Sequence, residues 1–452
     1  MSARRFWYSL GAITFLGLVI RVVYILHWRT DALADVVDRV NDSAWYHRAS
    51  IALADGKGFI SPFFSAPGHG YQSADHPPAY LLFLAFFSKL GFDTTTQQLL
   101  LTASLIGTPT VLVSGLAGRA MHSARVGLIT AGLAAVAPNV FSWDGMLYSE
   151  SAAILGVTLT IWVSYRYWRN PSLRGAMWVG AAAALATMSR AELAMLFVVL
   201  VLPLVSRHGE RGVKHVAKRL GAAAVAGVVI IGPWVGYNLS RFEDPVYLSV
   251  GAEITMASAT CDETYYGEFL GFWHLECVRK IREDLKSEFP PTEVHVGDTV
   301  YMVPQLDQSE EAPYFRRAAT DYISAHISRV PKVLLARYGR VLYLYRPNHV
   351  VLADNYFEGR DLGVAQAGRW SFYGLALLGI AGAVALRRAR IPRYVLAAAF
   401  VTVLAAVTLA FGNPRYRASS ETALCLFAAV GASAAYDTMK TRSQPRSEVG
   451  VV

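Results

Sequence analysis

The sequence is poor in charge and in cysteine. Aspartate, glutamate, lysine and arginine make up 17% of its 452 residues, hydrophobic residues make up 54%, and there are three cysteines. A soluble globular domain carries about 25% charged residues, so this composition excludes an ordinary soluble domain and indicates a chain that crosses a membrane several times. The sequence also contains no phosphate-binding Gly-x-x-x-x-Gly-Lys motif, no metal-type Cys/His spacing and no internal repeat.

Apolar runs of about twenty residues alternate with short turns rich in lysine and arginine, which is typical of helices that cross a ~30 Å hydrocarbon core. We therefore predict an all-α polytopic membrane protein with about ten transmembrane helices, interfacial helices and an outer-face domain of mixed or irregular structure. The first run has no small-residue cleavage site, so we interpret it as a retained span rather than a secretory signal. The predicted spans are 6–26, 97–117, 126–141, 150–167, 174–189, 191–206, 220–238, 370–386, 393–411 and 421–437.

Two further apolar stretches, 79–90 and 331–345, could be spans or could lie in the membrane interface. If both lie in the interface, the segments on one side hold 19 of the 42 basic residues and three of the 33 acidic residues. That side then carries a net charge of +16 and the remainder of the chain −7. Making either stretch a span would put basic turns outside. Because cytoplasmic loops are enriched in lysine and arginine, we place both stretches in the interface and both termini in the cytoplasm. The basic pI therefore reports membrane topology and gives no indication of nucleic-acid binding.

This orientation divides the chain into four parts. They are an N-terminal transmembrane module at 1–238 that includes the first outer loop at 27–96, an outer region at 239–369, C-terminal transmembrane helices at 370–440, and a disordered cytoplasmic tail at 441–452. Cys261 and Cys277 both fall in the outer region, where oxidising conditions allow a disulfide. Their separation of sixteen residues leaves open whether the bond forms.

Ionisable residues gather near the outer ends of the predicted spans. One carboxylate beside several cations suits a particular task, the deprotonation of a hydroxyl group next to a departing phosphate. Arginine fits the phosphate role because its guanidinium is forked and permanently charged. These residues converge only if the spans pack around one outward-facing cavity; they are Asp42, His76, Asp144, Glu150, Arg190, Glu192, Arg415, Arg417 and Glu421.

The acidic members also have structural interpretations. Asp42 could cap a short helix that we predict over 43–55, since aspartate favours that position. Glu150 opens a predicted span and could interact favourably with the helix dipole. Both interpretations stay open on position alone.

The basic members have structural interpretations as well. Arg415 and Arg417 could extend their head groups into the interface, and Arg190 could form a local ion pair with Glu192, which contributes little at a surface. His76 precedes two prolines and could be an ordinary loop residue. No single position decides between these interpretations and catalysis.

Six motifs occur in a fixed order along most of the chain. They are Asn41-Asp42 with Trp45-Tyr46 and the turn 54–59, then His76-Pro77-Pro78-Ala79-Tyr80, Ser149-Glu150, Ser189-Arg190-Ala191-Glu192, Gly232-Pro233-Trp234 with Asn238, and Pro414-Arg415-Tyr416-Arg417. Together they resemble the GT-C-type membrane glycosyltransferases, in the branch that contains protein O-mannosyltransferases and lipid A aminoarabinose transferases.

The resemblance implies an inverting hexosyl or pentosyl transferase at the outer face of the cytoplasmic membrane. It would take a sugar from a polyprenyl-phosphate donor and attach it to a hydroxyl group of a lipid, glycan or protein during cell-envelope synthesis. It implies that Asp42 is the general base and that His76, Arg415 and Arg417 bind the donor phosphate. It also implies substrate contacts at Trp45, Tyr46, Glu150, Arg190 and Tyr416.

The first outer loop departs from the family in one respect. Asn41 precedes Asp42 and Ser43 follows it, so the loop has no Asp-x-Asp pair. The motif therefore gives no support for a divalent metal, so a metal stays open and we assign no cofactor.

A transporter or flippase of lipid-linked sugars is the alternative interpretation. It would require charged or broken helices at mid-membrane and repeat symmetry between halves, whereas the charges here lie at one face. A non-catalytic scaffold or sensor would explain the outer region but not the gathered arginines and carboxylates. The charge distribution favours the transferase.

Overall fold

The computed structural model describes residues 1–29, 41–296 and 299–443. Within them the chain is mostly helical and has few strands, which confirms the predicted fold class. The α-helices are Ala3–Trp28, Asp42–Ala54, Ala79–Lys89, Thr95–Thr102, Thr108–Met121, Ala124–Val136, Pro138–Phe141, Glu150–Arg169, Leu173–Thr187, Leu202–Arg207, Val213–Leu239, Gly251–Ala257, Asp262–Tyr265, Leu275–Glu288, Gln308–Ala325, Val330–Val341, Pro347–Tyr356, Leu362–Arg388, Tyr394–Leu409 and Glu421–Ser443.

Shorter elements interrupt or join these helices. The 3₁₀ segments are Ser142–Gly145, Ala191–Ala194, Ile327–Arg329 and Pro414–Ser420, and the π-helical segments are Ala103–Gly107 and Phe197–Val201. The described strands, Thr292–Val296 and Thr299–Val303, form a two-stranded antiparallel sheet in which Val294 faces Tyr301. The outer region is therefore mixed, with short helices around one hairpin.

Five helical segments among the described residues are long and apolar enough to cross a membrane. They are Ala3–Trp28, Thr95–Met121, Val213–Leu239, Leu362–Arg388 and Pro414–Lys440. The pair Ala124–Val136 and Pro138–Gly145, bent by 65°, would be a sixth. These helices confirm a multi-pass membrane protein, while the total of about ten spans stays a prediction.

Glycine brings two of these long helices into backbone contact. A Cβ atom added at Gly382 would collide with the carbonyl oxygen of Phe427, and one added at Gly431 would collide with that of Leu378. Small residues are what membrane helices use to approach closely, because lipid supplies no hydrophobic force between them. Helices Leu362–Arg388 and Glu421–Ser443 therefore pack through glycine.

The helix Glu150–Arg169 runs from one end of the helical bundle to the other. Its 20 residues span about 30 Å, which equals the thickness of the hydrocarbon core. At its far end, Arg169 donates to the carbonyl of Met121 at 3.4 Å and the Tyr165 hydroxyl donates to the carbonyl of Pro392 at 3.0 Å. The basic turns 118–125, 166–174 and 387–393 therefore lie together, about 30 Å along this helix from Glu150.

The predicted short helix and the two apolar stretches differ slightly in their bounds from the observed helices. The predicted helix 43–55 is Asp42–Ala54, the stretch 79–90 is helical over Ala79–Lys89, and the stretch 331–345 is helical over Val330–Val341. In the outer region Cys261 is joined to Cys277 by a disulfide. In the predicted tail 441–452, helix continues to Ser443 and the rest lies outside the described residues.

Replacement of Gly382 by leucine should destabilise the protein by about 1–3 kcal/mol, because the new side chain must displace the facing backbone of Phe427. Thermal unfolding in detergent measures the loss. Gly374→Leu is the matched control, since Gly374 lies on the same helix and no described atom beyond its neighbouring residues and its helix's own backbone comes within 4 Å of its added Cβ. Equal unfolding temperatures for the two variants would contradict the packing account.

Candidate active site

Asp42 is the first residue of the helix Asp42–Ala54 and does not cap it. The cap is Asn41, whose side-chain oxygen accepts a hydrogen bond from the Ala44 amide at 2.9 Å. The carboxylate of Asp42 is thereby left for another partner. Its Oδ2 accepts from Nη2 of Arg415 at 2.5 Å, and the side chain is 33% exposed. The cap interpretation therefore holds for Asn41 and fails for Asp42.

Arg415 is the centre of the site. Besides Asp42, its Nε donates to the carboxylate of Glu150 and its Nη1 donates to Glu358 at 3.1 Å. The guanidinium lies over the ring of Tyr148, 4.4 Å from the centroid. We call this group of one guanidinium and three carboxylates the Arg415 cluster. It joins four segments that are far apart in the sequence.

A second arginine extends the cluster. Nη1 of Arg190 donates to the same Glu150 oxygen that Arg415 contacts, and its Nε donates to Glu192 at 2.5 Å. Arg190 also lies over the ring of Tyr416, at 5.4 Å. Glu150 is fully buried, so it bridges two guanidinium groups from inside the protein. The local pair of Arg190 and Glu192 exists, but it belongs to this larger network.

His76 lies on the other side of Asp42. Its Nε2 is 3.8 Å from Oδ1 of Asp42. The imidazole stacks on Tyr46 with centroids 5.0 Å apart and meets the edge of Trp45 at 4.9 Å. Both aromatic residues are buried, so they orient the imidazole within the site. Helix Ala79–Lys89 begins directly after the two prolines that follow His76.

Another predicted motif holds the loop that carries His76. The side-chain oxygen of Asn238 accepts from Arg241 at 3.0 and 3.1 Å. Arg241 in turn donates to the carbonyl of Phe59 at 2.9 Å and to that of Ser73 at 2.6 Å. The motif 232–238 therefore positions the first outer loop and makes no contact with Asp42 among the described hydrogen bonds.

Arg417 lies outside the Arg415 cluster. Its Nε donates to Glu421 at 2.7 Å, its guanidinium lies 3.7 Å from the ring centroid of Phe372, and its side chain is 2% exposed. Successive residues of a 3₁₀-helix turn by about 120°, so residues two apart in Pro414–Ser420 point in different directions. The guanidinium of Arg417 is therefore buried and paired with Glu421, and its predicted contact with the donor phosphate stays a prediction.

The pKa values of two carboxyl groups in the cluster shift in opposite directions, one through neighbouring charges and the other through burial. Burial raises the pKa of Asp42, but electrostatic interactions with Arg415, His76 and Arg190 outweigh it and lower that pKa to about 2. Burial raises the pKa of Glu358 to about 7, opposed by Arg415 and reinforced by the charge of Asp42. Perturbed carboxyls of this kind gather at functional sites.

Glu358 is the member of the cluster that sequence reasoning missed. It lies in the outer region, between helices Pro347–Tyr356 and Leu362–Arg388, and forms part of no recognised motif. Besides Arg415, it accepts a hydrogen bond from the Asn413 side chain at 3.0 Å. An acid in a polar loop carries no periodicity or spacing signal, so only the folded chain identifies it.

The Arg415 guanidinium lies between the three carboxylates of the cluster and supplies the positive charge there. Among residues 1–29, 41–296 and 299–443, the grouping with metal-ligand geometry is Cys261, Glu263 and Cys277, elsewhere in the outer region. Its two sulfur atoms are bonded to each other, so it offers no thiolate ligand.

Glu358→Gln should change how stability depends on pH. The folded protein holds the Glu358 pKa at about 7, above the ordinary 4.5. The stabilising contribution of this carboxyl is therefore complete below pH 4.5 and is lost as the pH rises through about 7. We expect the variant to lack that loss and to gain roughly 1–3 kcal/mol on the wild type between pH 5 and 8.

Thermal unfolding at several pH values measures this difference. Glu288→Gln, at an exposed position in the outer region, should follow the wild type throughout. A wild-type pH profile from Glu358→Gln would show that Glu358 titrates normally.

The comparisons with known proteins agree with this architecture. The family described as dolichyl-phosphate-mannose-protein mannosyltransferase matches residues 75–237, a segment that includes His76, Glu150 and Arg190. A search of curated protein sequences gives no match.

Several solved structures are similar to this chain. The oligosaccharyltransferase AglB of Archaeoglobus fulgidus, in complex with an inhibitory peptide and a dolichol-phosphate, matches with TM-score 0.51 and 15% identity, covering 100% of this chain and 53% of that one. The same enzyme tethered to an acceptor peptide matches with TM-score 0.55 and 12% identity, over 98% and 51%. ArnT of Cupriavidus metallidurans, bound to undecaprenyl phosphate, matches with TM-score 0.44 and 16% identity, over 98% and 80%.

This chain spans about half the length of the archaeal oligosaccharyltransferase. At these identities the two archaeal structures report the fold, and the family match adds a sequence signature over 75–237. The resemblance predicted from the ordered motifs is thereby confirmed: by fold and by this signature, the chain is similar to the GT-C-type membrane glycosyltransferases.

Proposed function

We propose that the chain transfers a sugar from a polyprenyl-phosphate donor to a hydroxyl acceptor, with Asp42 as the general base. The observation that carries the proposal is the position of the Asp42 carboxylate. It is partly exposed, and it lies between the Arg415 guanidinium at 2.5 Å and the His76 imidazole at 3.8 Å. A base that accepts a proton and two donors that face an anion are the groups such a transfer needs.

The donor class is supported by the comparisons. The matched family is described by a dolichyl-phosphate-mannose donor, and the archaeal structure of similar fold holds a dolichol-phosphate. Mannosyl phosphate lipids are therefore the first donors to test. Whether the transferred sugar is a hexose or a pentose is decided by the same assay.

The proposed reaction is a single displacement with inversion. The acceptor hydroxyl gives its proton to Asp42, and its oxygen forms a bond to the anomeric carbon. The bond from that carbon to the phosphate oxygen breaks, and its electron pair leaves with the polyprenyl phosphate. Arg415 and His76 stabilise the phosphate as its negative charge grows.

In the proposed mechanism, Asp42 becomes a stronger base when the donor binds. Asp42, with its pKa near 2, holds a proton poorly while Arg415 donates to it. A donor phosphate that binds Arg415 takes over part of that guanidinium's hydrogen bonding. The carboxylate then loses a neighbouring donor and becomes more basic when the donor is in place.

The charge pattern supports a site at the outer face of the cytoplasmic membrane. Glu150 and Arg169 stand at opposite ends of a helix about 30 Å long. The basic turns lie at the Arg169 end, and lysine and arginine accumulate on the cytoplasmic side. The Arg415 cluster lies at the Glu150 end, together with Glu358 of the outer region.

A path for the polyprenyl chain starts beside His76. Helix Ala79–Lys89 exposes Leu82 and Phe86, one turn apart on one face, with Leu90 directly after its end. An exposed apolar face is what a lipid-facing helix presents. We assign the lipid tail to this helix, which leaves the phosphate next to His76 and Arg415.

Asp42→Asn should reduce sugar transfer by at least about 100-fold, because the amide cannot accept the acceptor proton. The measurement is transfer from a synthetic polyprenyl-phosphate mannose, arabinose, galactose or glucosamine to hydroxyl acceptors in detergent. Asp55→Asn is the control, since that carboxylate ends the same helix and is 53% exposed. Full activity of Asp42→Asn would exclude Asp42 as the base.

Arg415→Gln should weaken the binding of polyprenyl phosphate by about tenfold or more, because a charge-assisted hydrogen bond to the phosphate is lost. Lipid-phosphate binding to the purified protein measures the change. Arg317→Gln, at an exposed position of the outer region, should bind normally. Unchanged binding by Arg415→Gln would contradict the assignment of the phosphate to Arg415.

A further inference from the structure

A cavity of about 420 Å³ lies between the first outer loop and the outer region. Its walls come from residues 63–75 of the loop, helices Leu275–Glu288 and Gln308–Ala325, and strand Thr299–Val303. The volume falls within the 300–1,000 Å³ that is usual for small-molecule sites. The sequence motifs and the proposed mechanism assign no role to this cavity.

Aromatic rings form much of the lining. Phe63, Phe64, Tyr71, Phe289 and Tyr301 contribute from three separate segments. Phe64 meets the edge of Tyr71 at 5.9 Å, which orients both rings. The face of an aromatic ring is electron-rich, so it attracts the C–H groups that line one face of a sugar ring.

Glu311 supplies a carboxylate for hydroxyl groups. It lines the cavity and is partly buried, and its carboxylate makes no hydrogen bond or ion pair within the described part of the chain. Burial raises its pKa to about 7, with Asp75 and Asp307 acting in the same direction and Arg282 against them. A partly buried carboxyl without a partner is costly, and a ligand hydroxyl would provide one.

Asp75, unlike Glu311, has hydrogen-bond partners for its carboxylate. It also precedes His76 directly and so connects the cavity wall to the active site. Its two oxygens accept from Gln308 at 2.8 Å and from Ser73 at 2.9 Å. Gln308 also accepts from the Ala74 amide at 2.8 Å. The next residue is His76, whose ring is 3.8 Å from Asp42. The cavity wall and the catalytic histidine therefore belong to the same short, pinned segment.

We propose that this cavity binds the carbohydrate part of the acceptor, so that the chain glycosylates a saccharide. The inference rests on the proposed function, since it names the acceptor class for that reaction. Aromatic faces hold the sugar rings and Glu311 accepts a hydroxyl hydrogen bond. The segment 73–76 then places the reacting hydroxyl toward Asp42.

The charges around the cavity fit a neutral ligand. Arg282 and Lys286 balance Asp75 and Glu311 among its lining residues. A strongly anionic or cationic ligand would face charges of its own sign, whereas sugar hydroxyls can both donate to carboxylates and accept from cations. A purely apolar lipid would leave Glu311 without a partner.

The test measures binding separately from transfer. Saturation-transfer NMR on the full chain in nanodiscs would use methyl α-mannoside, methyl β-galactoside, methyl arabinofuranoside and the corresponding disaccharides as probes. We expect at least one of them to bind. Glu311→Gln and Tyr301→Leu should each weaken that binding by about tenfold, through loss of a charged acceptor and of a ring face.

Asp321→Asn is the matched control, because Asp321 is an exposed carboxylate on the same helix as Glu311. It should bind saccharides like the wild type. Absence of binding for every saccharide, or wild-type binding by both cavity variants, would overturn the proposal. Competition by a peptide containing serine and threonine, with saccharides inactive, would assign the cavity to a protein acceptor instead.

The Asp42→Asn variant separates this inference from the proposed function. We expect it to bind saccharides normally and to transfer no sugar to them. Saccharide binding at the cavity in a wild-type protein that transfers nothing would refute the proposed reaction and leave the binding site. Transfer to a peptide without saccharide binding would refute the acceptor class and leave the reaction.

Discussion

The ion pairing of one guanidinium with three carboxylates organises the whole site. Arg415 contacts Asp42, Glu150 and Glu358, which belong to the first outer loop, a helix of the bundle and the outer region. Charges removed from water need close partners, and loss of one partner leaves the other uncompensated. The cluster therefore ties these segments together and gives a strong reason for them to meet. It also lowers the pKa of Asp42 to about 2, so this carboxylate is ionised beside the guanidinium.

Charged residues are also separated along the length of the molecule. The basic turns gather at one end of the helix Glu150–Arg169, and the paired carboxylates and arginines gather at the other. A distance of about 30 Å separates the two ends. Charged side chains are costly within the hydrocarbon core, so the molecule has one basic face and one face with paired carboxylates and arginines. The outer region adds Glu358 to one face and the wall of a cavity to the same end.

Much of the fold and part of the site could be predicted from the sequence. Asp42, His76, Arg190 and Arg415 were expected near one another because each stands beside an apolar run on the same predicted side, and the structure brings them together. The roles within that group were less predictable. Trp45 and Tyr46 are buried and pack against the His76 ring, while their predicted contact with substrate stays a prediction. Asn41 is the helix cap, because its side chain reaches the Ala44 amide.

The sequence by itself determined that this protein lies in a lipid bilayer. Its scarcity of charge, its apolar runs and its uneven lysine and arginine require a helical membrane chain, since backbone groups in lipid must satisfy one another within helices. Tertiary structure alone decided which charged side chains meet. Arg415 and Arg417 are two residues apart with identical side chains, yet one joins Asp42 while the other lies buried against Phe372 and Glu421. The two side chains differ because they point in different directions from a short helix and pack against different distant segments. Neither property can be read from residue type or spacing.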